Sequence, residues 1–469
     1  MMKQSPRFVT GSIWRHVVVM TLTNSVGLMA LFVVDLIDLY FLNLLGEQEM
    51  AAAVGFSAQL MFYVTAISIG LLIAVGILVS QRIGAKQVKE AKRIVASALT
   101  LAAILIAMVS MVLLWYLTDI LQWLGAEGRT LVLAETYAGI LLPSGVIMVL
   151  GMVTGSVLRA LGDARRSMTG TLLAAGVNLV LDPLLIFTLD MGISGAAWAS
   201  VLARTTMLAY AAYSAFFIHS MLVRPTWRGI MSDFLPIIKL AGPAVMTNLA
   251  TPIGSTFVMT AIARYGDGAV AAYATIGRMI PVAFSVLFAL SGAVSPIIGQ
   301  NYGAGSFTRI RETYRSAVIF AILVVVVVTV VIVLGREQLI GLFNLSEEGN
   351  HLLILFCSGL TLFFVADGIL FSTNSVFNSL GYPLYSTFFN YAKFFLGVIP
   401  SVYLLSHFYG ARGVIIGQAV GPVLVTIAAV ITCHRIIKRI GSGKSARRRF
   451  FRLLPRVPLW PSSSSRNQL

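Results

Sequence analysis

Seven ionisable side chains stand inside long apolar runs: Asp35, Asp38, Asp182, Arg204, Arg278, Asp367 and Lys393. A charge placed in hydrocarbon costs several kcal/mol unless it is paired or hydrated, so each marks a functional candidate. Asn178 and Asp182 are spaced i, i+4 and share one helical face. Pro183 follows them, removes a backbone donor and can leave a carbonyl free as a ligand. Counted from the ends of their runs, Asp35, Asp182 and Ser200 share one depth, roughly 10 Å below one surface. Carboxylate, amide and hydroxyl oxygens at one depth suit a proton relay or a hard cation such as sodium. The expected coupling set is therefore Asp35, Asn178, Asp182 and Ser200. Asp35, Asn178 and Asp182 would serve as metal ligands only if sodium is the ion.

Other charged groups are expected to support that set. Asp38, one turn beyond Asp35 and nearer water, reads as an interfacial, solvated carboxylate. Asp367 and Lys393 sit at equal depth near the opposite surface, which suggests a pair, structural more than cargo-related. Arg204 and Arg278 either neutralise acids or line a cavity, and the spacing does not choose. The second-half counterparts of Asp35 and Asp182 fall near Ser255 and near Pro400 or Ser401. The ion chemistry is thus confined to the first half. Inter-helix hydrogen bonding alone is the plain alternative for every one of these groups.

What must position them follows from composition. Of 469 residues, 58% are hydrophobic and 11% charged, with a mean hydropathy of +0.89. Soluble domains carry about 25% charged residues, so an ordinary cytoplasmic enzyme is excluded. Two cysteines in apolar runs give no disulfide framework, and five histidines without paired spacing give no metal cluster. Twelve runs are long enough to span a bilayer as helices: 13–42, 50–80, 91–117, 130–155, 167–189, 193–219, 234–262, 270–299, 312–335, 350–376, 384–406 and 411–438. Helices are required because every backbone polar group must be satisfied inside hydrocarbon. Bends are expected where Pro243, Pro252, Pro281 and Pro296 interrupt a run, and Asn24 and Gly27 could let the first helix bend. Aromatic and methionine side chains are plentiful and suit promiscuous apolar or cationic ligands.

Charge placement orients the chain. The loops on one side and both termini carry 27 Lys and Arg, the other side 4. Both termini should be cytoplasmic, and the first apolar run reads as a helix rather than a cleavable signal. The net charge of +16 is concentrated after His434, where ten Lys and Arg meet no acid. That tail suits anionic lipid or is simply solvated. No folded basic domain exists to organise nucleic acid.

The two halves repeat at an offset near 219. Gln81–Ala85 matches Gln300–Ala304, Leu161-Gly162 matches Leu380-Gly381, and Gly192 with Gly195 matches Gly410 with Gly413. Six helices precede the second copy, so both copies keep one orientation. The expected fold is all-α integral membrane, twelve transmembrane helices in two six-helix bundles related by a pseudo-two-fold axis along the membrane normal. The expected division is 1–228, 229–440 and a basic cytoplasmic tail at 441–469. Repeats of this kind mark transporters, with the cargo path between bundles.

Several pieces in this order resemble the multidrug and toxic compound extrusion (MATE) transporters, nearest to their DNA-damage-inducible, DinF-like subfamily. They are Val34-Asp35-Leu36-Ile37, the Gln81 and Gln300 loops, Leu161-Gly162-Asp163, Asn178-x-x-x-Asp182-Pro183 and Gly195-Ala196-Ala197-Trp198-Ala199-Ser200. The resemblance covers 10–440. It implies a V-shaped pair of bundles exporting drug-like compounds against an inward proton or sodium flow. It gives the coupling role to Asp35, Asn178 and Asp182. Relatives often carry a proline in the inner half of helix 1, whereas this chain has none between Pro6 and Pro143.

The expected function is a proton-coupled multidrug antiporter of the bacterial inner membrane, working as a monomer on small-molecule substrates among membrane lipids, without a cofactor. The alternatives are sodium coupling by the same oxygens and a flippase for lipid-linked oligosaccharides. A membrane-embedded enzyme would need a nucleophile and base within the spans, and none is evident.

Overall fold

The computed structural model describes residues 6–44, 48–343 and 345–441, and among them every regular element is helical. The basic tail expected at 441–469 lies outside the described residues beyond Gly441. Ten helices pass as single spans: α1 (Ile13–Leu44), α2 (Gln48–Gly84), α3 (Val88–Trp115), α4 (Gly128–Ala160), α5 (Ala164–Thr188), α6 (Gly192–Ile218), α7 (Trp227–Ala263), α9 (Phe307–Leu334), α10 (Leu360–Ser379) and a last stretch, Pro383–Gly441. The eleventh, α8, is the bent pair Asp267–Ala283 and Ser285–Gly303, which meet at 45°. The bend falls three residues after Pro281, which withholds a backbone donor from the turn before it.

The last stretch has 59 residues, about 88 Å at 1.5 Å per residue, twice what one crossing needs. It breaks at Gly410, whose φ of 59° and ψ of −137° lie outside the helical region. Glycine adopts this conformation without the Cβ clash other residues suffer. Residues 383–409 (α11) and 411–441 (α12) therefore fold back on each other as a hairpin. A Cβ on Gly417 would lie 2.6 Å from Val402 N, and one on Gly421 2.6 Å from Val398 Cα. Spaced four apart with Gly413, which would strike the Leu405 carbonyl, these glycines bring two backbones together, a packing mode that membrane helices favour. The first half repeats the device. Gly192 has φ 52°, and a Cβ on Gly195 would lie 2.7 Å from the Leu185 carbonyl carbon. Twelve spans result.

The duplication is visible in backbone geometry. Gly162 and Gly381 both have φ 84°, and Lys86 and Gly305 have φ 62° and 74°. The same three hydrogen bonds close each turn, for example Gln87 N to Arg82 O at 2.8 Å and Ser306 N to Asn301 O at 2.8 Å.

The chain divides into two compact units. Unit 1 comprises the residues up to Arg7 and Val26–Val245, and unit 2 comprises Phe8–Ser25 and everything from Met246. Helix α1 is continuous from Ile13 to Leu44, so its first part belongs to unit 2 and its remainder to unit 1. Helix α7 is shared in the opposite sense. Its first part is held inside unit 1 by a fork: Arg93 Nε and Nη2 donate to Asp233 at 3.1 and 2.9 Å, and Ser97 Oγ donates to the same carboxylate at 2.9 Å. In unit 2 the apolar core gathers Val258, Ile262, Leu353, Cys357, Val402 and Val414. Both cysteines, Cys357 and Cys433, are buried thiols.

Candidate functional site

The candidate site lies in unit 1, where the second half of α1 meets α5. Asn178 and Asp182 are 5% and 1% exposed and point the same way, as their i, i+4 spacing requires. Beyond Pro183 the helix widens into a π-helical turn, Leu184–Thr188, consistent with the hydrogen bond that proline cannot make. The Asn178 amide nitrogen donates to Asp38 Oδ1 at 3.1 Å and to Asp182 Oδ2 at 2.8 Å. The Asp38 and Asp182 carboxyls also stand in hydrogen-bonding contact with each other. Asp182 Oδ1 is buried and has no protein partner.

The structure therefore brings Asp38, rather than Asp35, to Asn178 and Asp182. Asp35 is exposed and, among the described residues, shares no hydrogen bond with either. Ser200 is half-buried and is joined to none of the three. The reading of Asp38 as a merely solvated carboxylate is corrected by its bond to Asn178. Depth counted from run ends is accurate to no better than a turn. It also carries no azimuth, and three residues rotate a helix by about 300°.

Arg204 donates to Ser144 Oγ at 2.6 Å and to the Leu141 carbonyl at 3.4 Å. It is the cation whose charge acts on Asp35. Among the described residues no Lys, Arg or His forms an ion pair with Asp35, Asp38 or Asp182. Tyr137, on α4, packs with Ile186 and Ala196 within the fields of Asp38, Arg204, Asp182 and Asp35. Nothing in the local sequence marks Tyr137, because one tyrosine in an apolar helix has no spacing signal. Arg278 is exposed on α8.

In unit 2, Lys393 Nζ donates to Asp367 Oδ1 at 2.9 Å and lies 4.6 Å from the centre of the Phe394 ring. Lys393 is 7% exposed. Gly254 of α7 leaves the space that Phe394 fills, since a Cβ there would overlap the ring. The pair joins a buried cation to a half-buried anion, and each compensates the other's charge.

One family model, MatE, matches residues 25–184 and again residues 243–404. The chain belongs to the MatE family. MatE proteins are transporters, not enzymes. One model matching twice at an offset of about 219 is the duplication seen in the turns. A FAD transporter of Shewanella oneidensis is 27% identical over 445 residues, which is 94% of this chain and 98% of that protein. The multidrug export protein MepA of Staphylococcus aureus is 23% identical over 444 residues, 92% of this chain and 96% of that one. A crystal structure of MATE in complex with MaL6 superposes with a TM-score of 0.88 at 25% identity, covering 94% of this chain and 100% of that one. The twelve-helix, two-bundle MatE fold is thus present over nearly the whole chain.

Proposed function

We propose that this MatE transporter exports drug-like, mostly cationic or amphipathic compounds in exchange for inward protons, and that Asp38, Asn178 and Asp182 hold the proton. The observation that carries the reading is a single amide donating to two carboxylates that also touch each other. Two carboxylates in contact, with no basic partner, hold one proton or one monovalent cation between them. Asn178 offers its NH2 to both carboxylates, an arrangement that suits a pair sharing one proton.

Release of the proton leaves two repelling carboxylates on α1 and α5. That repulsion supplies the differential affinity between states that coupling requires. Asp35, one turn away on α1 and within the field of Arg204, delivers the proton. Both termini lie in the cytoplasm of a bacterial cell, following the Lys and Arg asymmetry.

Drug export is supported by the likeness to MepA. The likeness to a FAD transporter over 94% of the chain supports a second reading of the cargo, an anionic flavin nucleotide. The experiment that separates these readings is export from proteoliposomes under separately imposed proton and sodium gradients, with a fluorescent organic cation and FAD as competing cargoes. The proton reading expects cation export under the proton gradient alone and its loss in Asp38→Asn. Export driven by sodium alone, or unchanged in Asp38→Asn, overturns it.

A further inference from the structure

Ahead of α1, residues 8–11 are gripped by the end of α8 and the start of α9. Phe8 N donates to Gln300 Oε1 at 2.9 Å, and Asn301 Nδ2 donates to the Phe8 carbonyl at 3.1 Å. Arg309 Nη2 donates to three carbonyls, those of Phe8 at 2.9 Å, Thr10 at 3.3 Å and Gly11 at 3.1 Å. Arg309 Nε closes the set on Asn301 Oδ1 at 3.1 Å. Three carbonyls converge on one guanidinium because the chain turns at Gly11, where φ is 76°. The same turn brings the His16 ring to the Thr10 carbonyl at 2.7 Å. Gln300 and Asn301 are 0% exposed, so letting go would leave buried amides unpaired, a costly state.

The grip continues into the helix. Ile13, Val17 and Thr21 are 0% exposed, Met20 4% and Ser25 6%. All belong to unit 2, while Asp38 on the same unbroken helix belongs to unit 1.

We propose that Gln300, Asn301 and Arg309 form a permanent clasp on residues 8–11, which makes the first half of α1 a working part of unit 2, with Arg309 as the positioning residue that links ion capture at Asp38 to unit 2. Among the described residues Arg309 bonds to Asn301 and to the carbonyls of Phe8, Thr10 and Gly11, and to none of Asp38, Asn178 and Asp182. Its fork anchors one end of an unbroken helix whose other end carries the carboxylate that changes charge. Lysine cannot replace it, because a single ammonium does not reproduce the planar fork. The inference rests on the coupled-export reading above.

Two variants test it. In proteoliposomes, Arg309→Gln should lower gradient-driven export at least tenfold while cargo binding to the purified protein stays within twofold, and Arg309→Lys should recover less than half of the rate. Separately, Thr10→Cys with Thr308→Cys, two exposed positions beside the clasp, in a chain carrying Cys357→Ala and Cys433→Ala, is joined by a flexible cleavable thiol cross-linker. The clasp uses only the backbone of residue 10, so the replacements leave Gln300, Asn301 and Arg309 and their bonds in place. A clasp that never opens predicts export within twofold of the uncross-linked sample.

Export by Arg309→Gln at the wild-type rate overturns the proposal, and so does a fall in binding that matches the fall in export. Loss of export on cross-linking, regained on cleavage, also overturns it, because the clasp would then have to open. If Arg309→Gln does not fold, the cross-linked protein still decides. The coupling reading fails on a different result, wild-type export indifferent to every ion gradient. In that case the same comparisons are run under whatever condition drives the wild type.

Discussion

Three residues separate Asp35 from Asp38 on one helix, and the hydrogen-bond geometry divides their work. Asp38 shares the Asn178 amide with Asp182, while Asp35 faces outward near the field of Arg204. Asp38→Asn and Asp182→Asn should each reduce proton-driven export by at least tenfold, read as initial rates in proteoliposomes. Asp35→Asn should slow export without removing its dependence on the proton gradient. A reversed ranking would return the coupling role to Asp35. Asn178→Ala strands two carboxylates and should cost about 1–3 kcal/mol of stability, measurable as a lowered melting temperature in detergent.

Asp163 allows a test of pH linkage outside the spans. It caps the start of α5, accepting from Arg166 N at 3.3 Å and contacting His219 Nε2 at 2.8 Å, with the Arg166 guanidinium also paired to it. Burial by itself would push this carboxyl up, but the hydrogen bonds from His219 and Arg166 outweigh it and hold the group well below the ordinary aspartate value of 3.8. A depressed carboxyl stabilises the fold above the unfolded-state value and loses that contribution as the pH falls below it. Melting temperature should therefore drop on acidification below about pH 4, and Asp163→Asn should flatten that part of the profile.

Among the elements, the hairpins depend on backbone approach. Gly417→Leu has no room against Val402 and should abolish recovery of folded protein, whereas Gly277→Ala, where a Cβ meets nothing within 4 Å, should be tolerated. Size-exclusion profiles of the two variants after solubilisation provide the check. Arg93→Ala leaves Asp233, 4% exposed, as a buried charge without its fork, a loss of about 3 kcal/mol that a thermal melt would register.

Much of this level was legible beforehand. The apolar runs gave the spans, Pro281 gave the bend in α8, and equal depth brought Asp367 to Lys393. The glycine pairs at 192/195 and 410/413 were visible as matches, although their role in close packing was not. Azimuth is not legible in a linear count, so depth alone does not tell Asp35 from Asp38 as the partner of Asn178. Contacts between distant segments, such as Arg93 with Asp233 or Arg309 with residues 8–11, leave no trace in local periodicity. Tyr137 stayed hidden for the same reason.

For the molecule as a whole, the repeat, the MatE match and the twelve spans agree, and the sequence halves were plain from the 219-residue offset. The packing units do not coincide with those halves. The stretch 8–25 belongs with the second, and the start of α7 with the first. Labelling single cysteines placed in the 81–87 and 300–306 turns should succeed only from the cytoplasmic side if the Lys and Arg asymmetry sets the orientation. Labelling from outside would invert the topology.

The exchanged segments also constrain how the protein can be made. The opening turns of α1 leave the ribosome long before anything exists for them to pack on, and unit 1 stays incomplete until α7 is synthesised. The first half of the gene product therefore cannot finish folding during its own synthesis. It must wait, unsealed, for a piece of the second, whereas the second finds its borrowed piece already made.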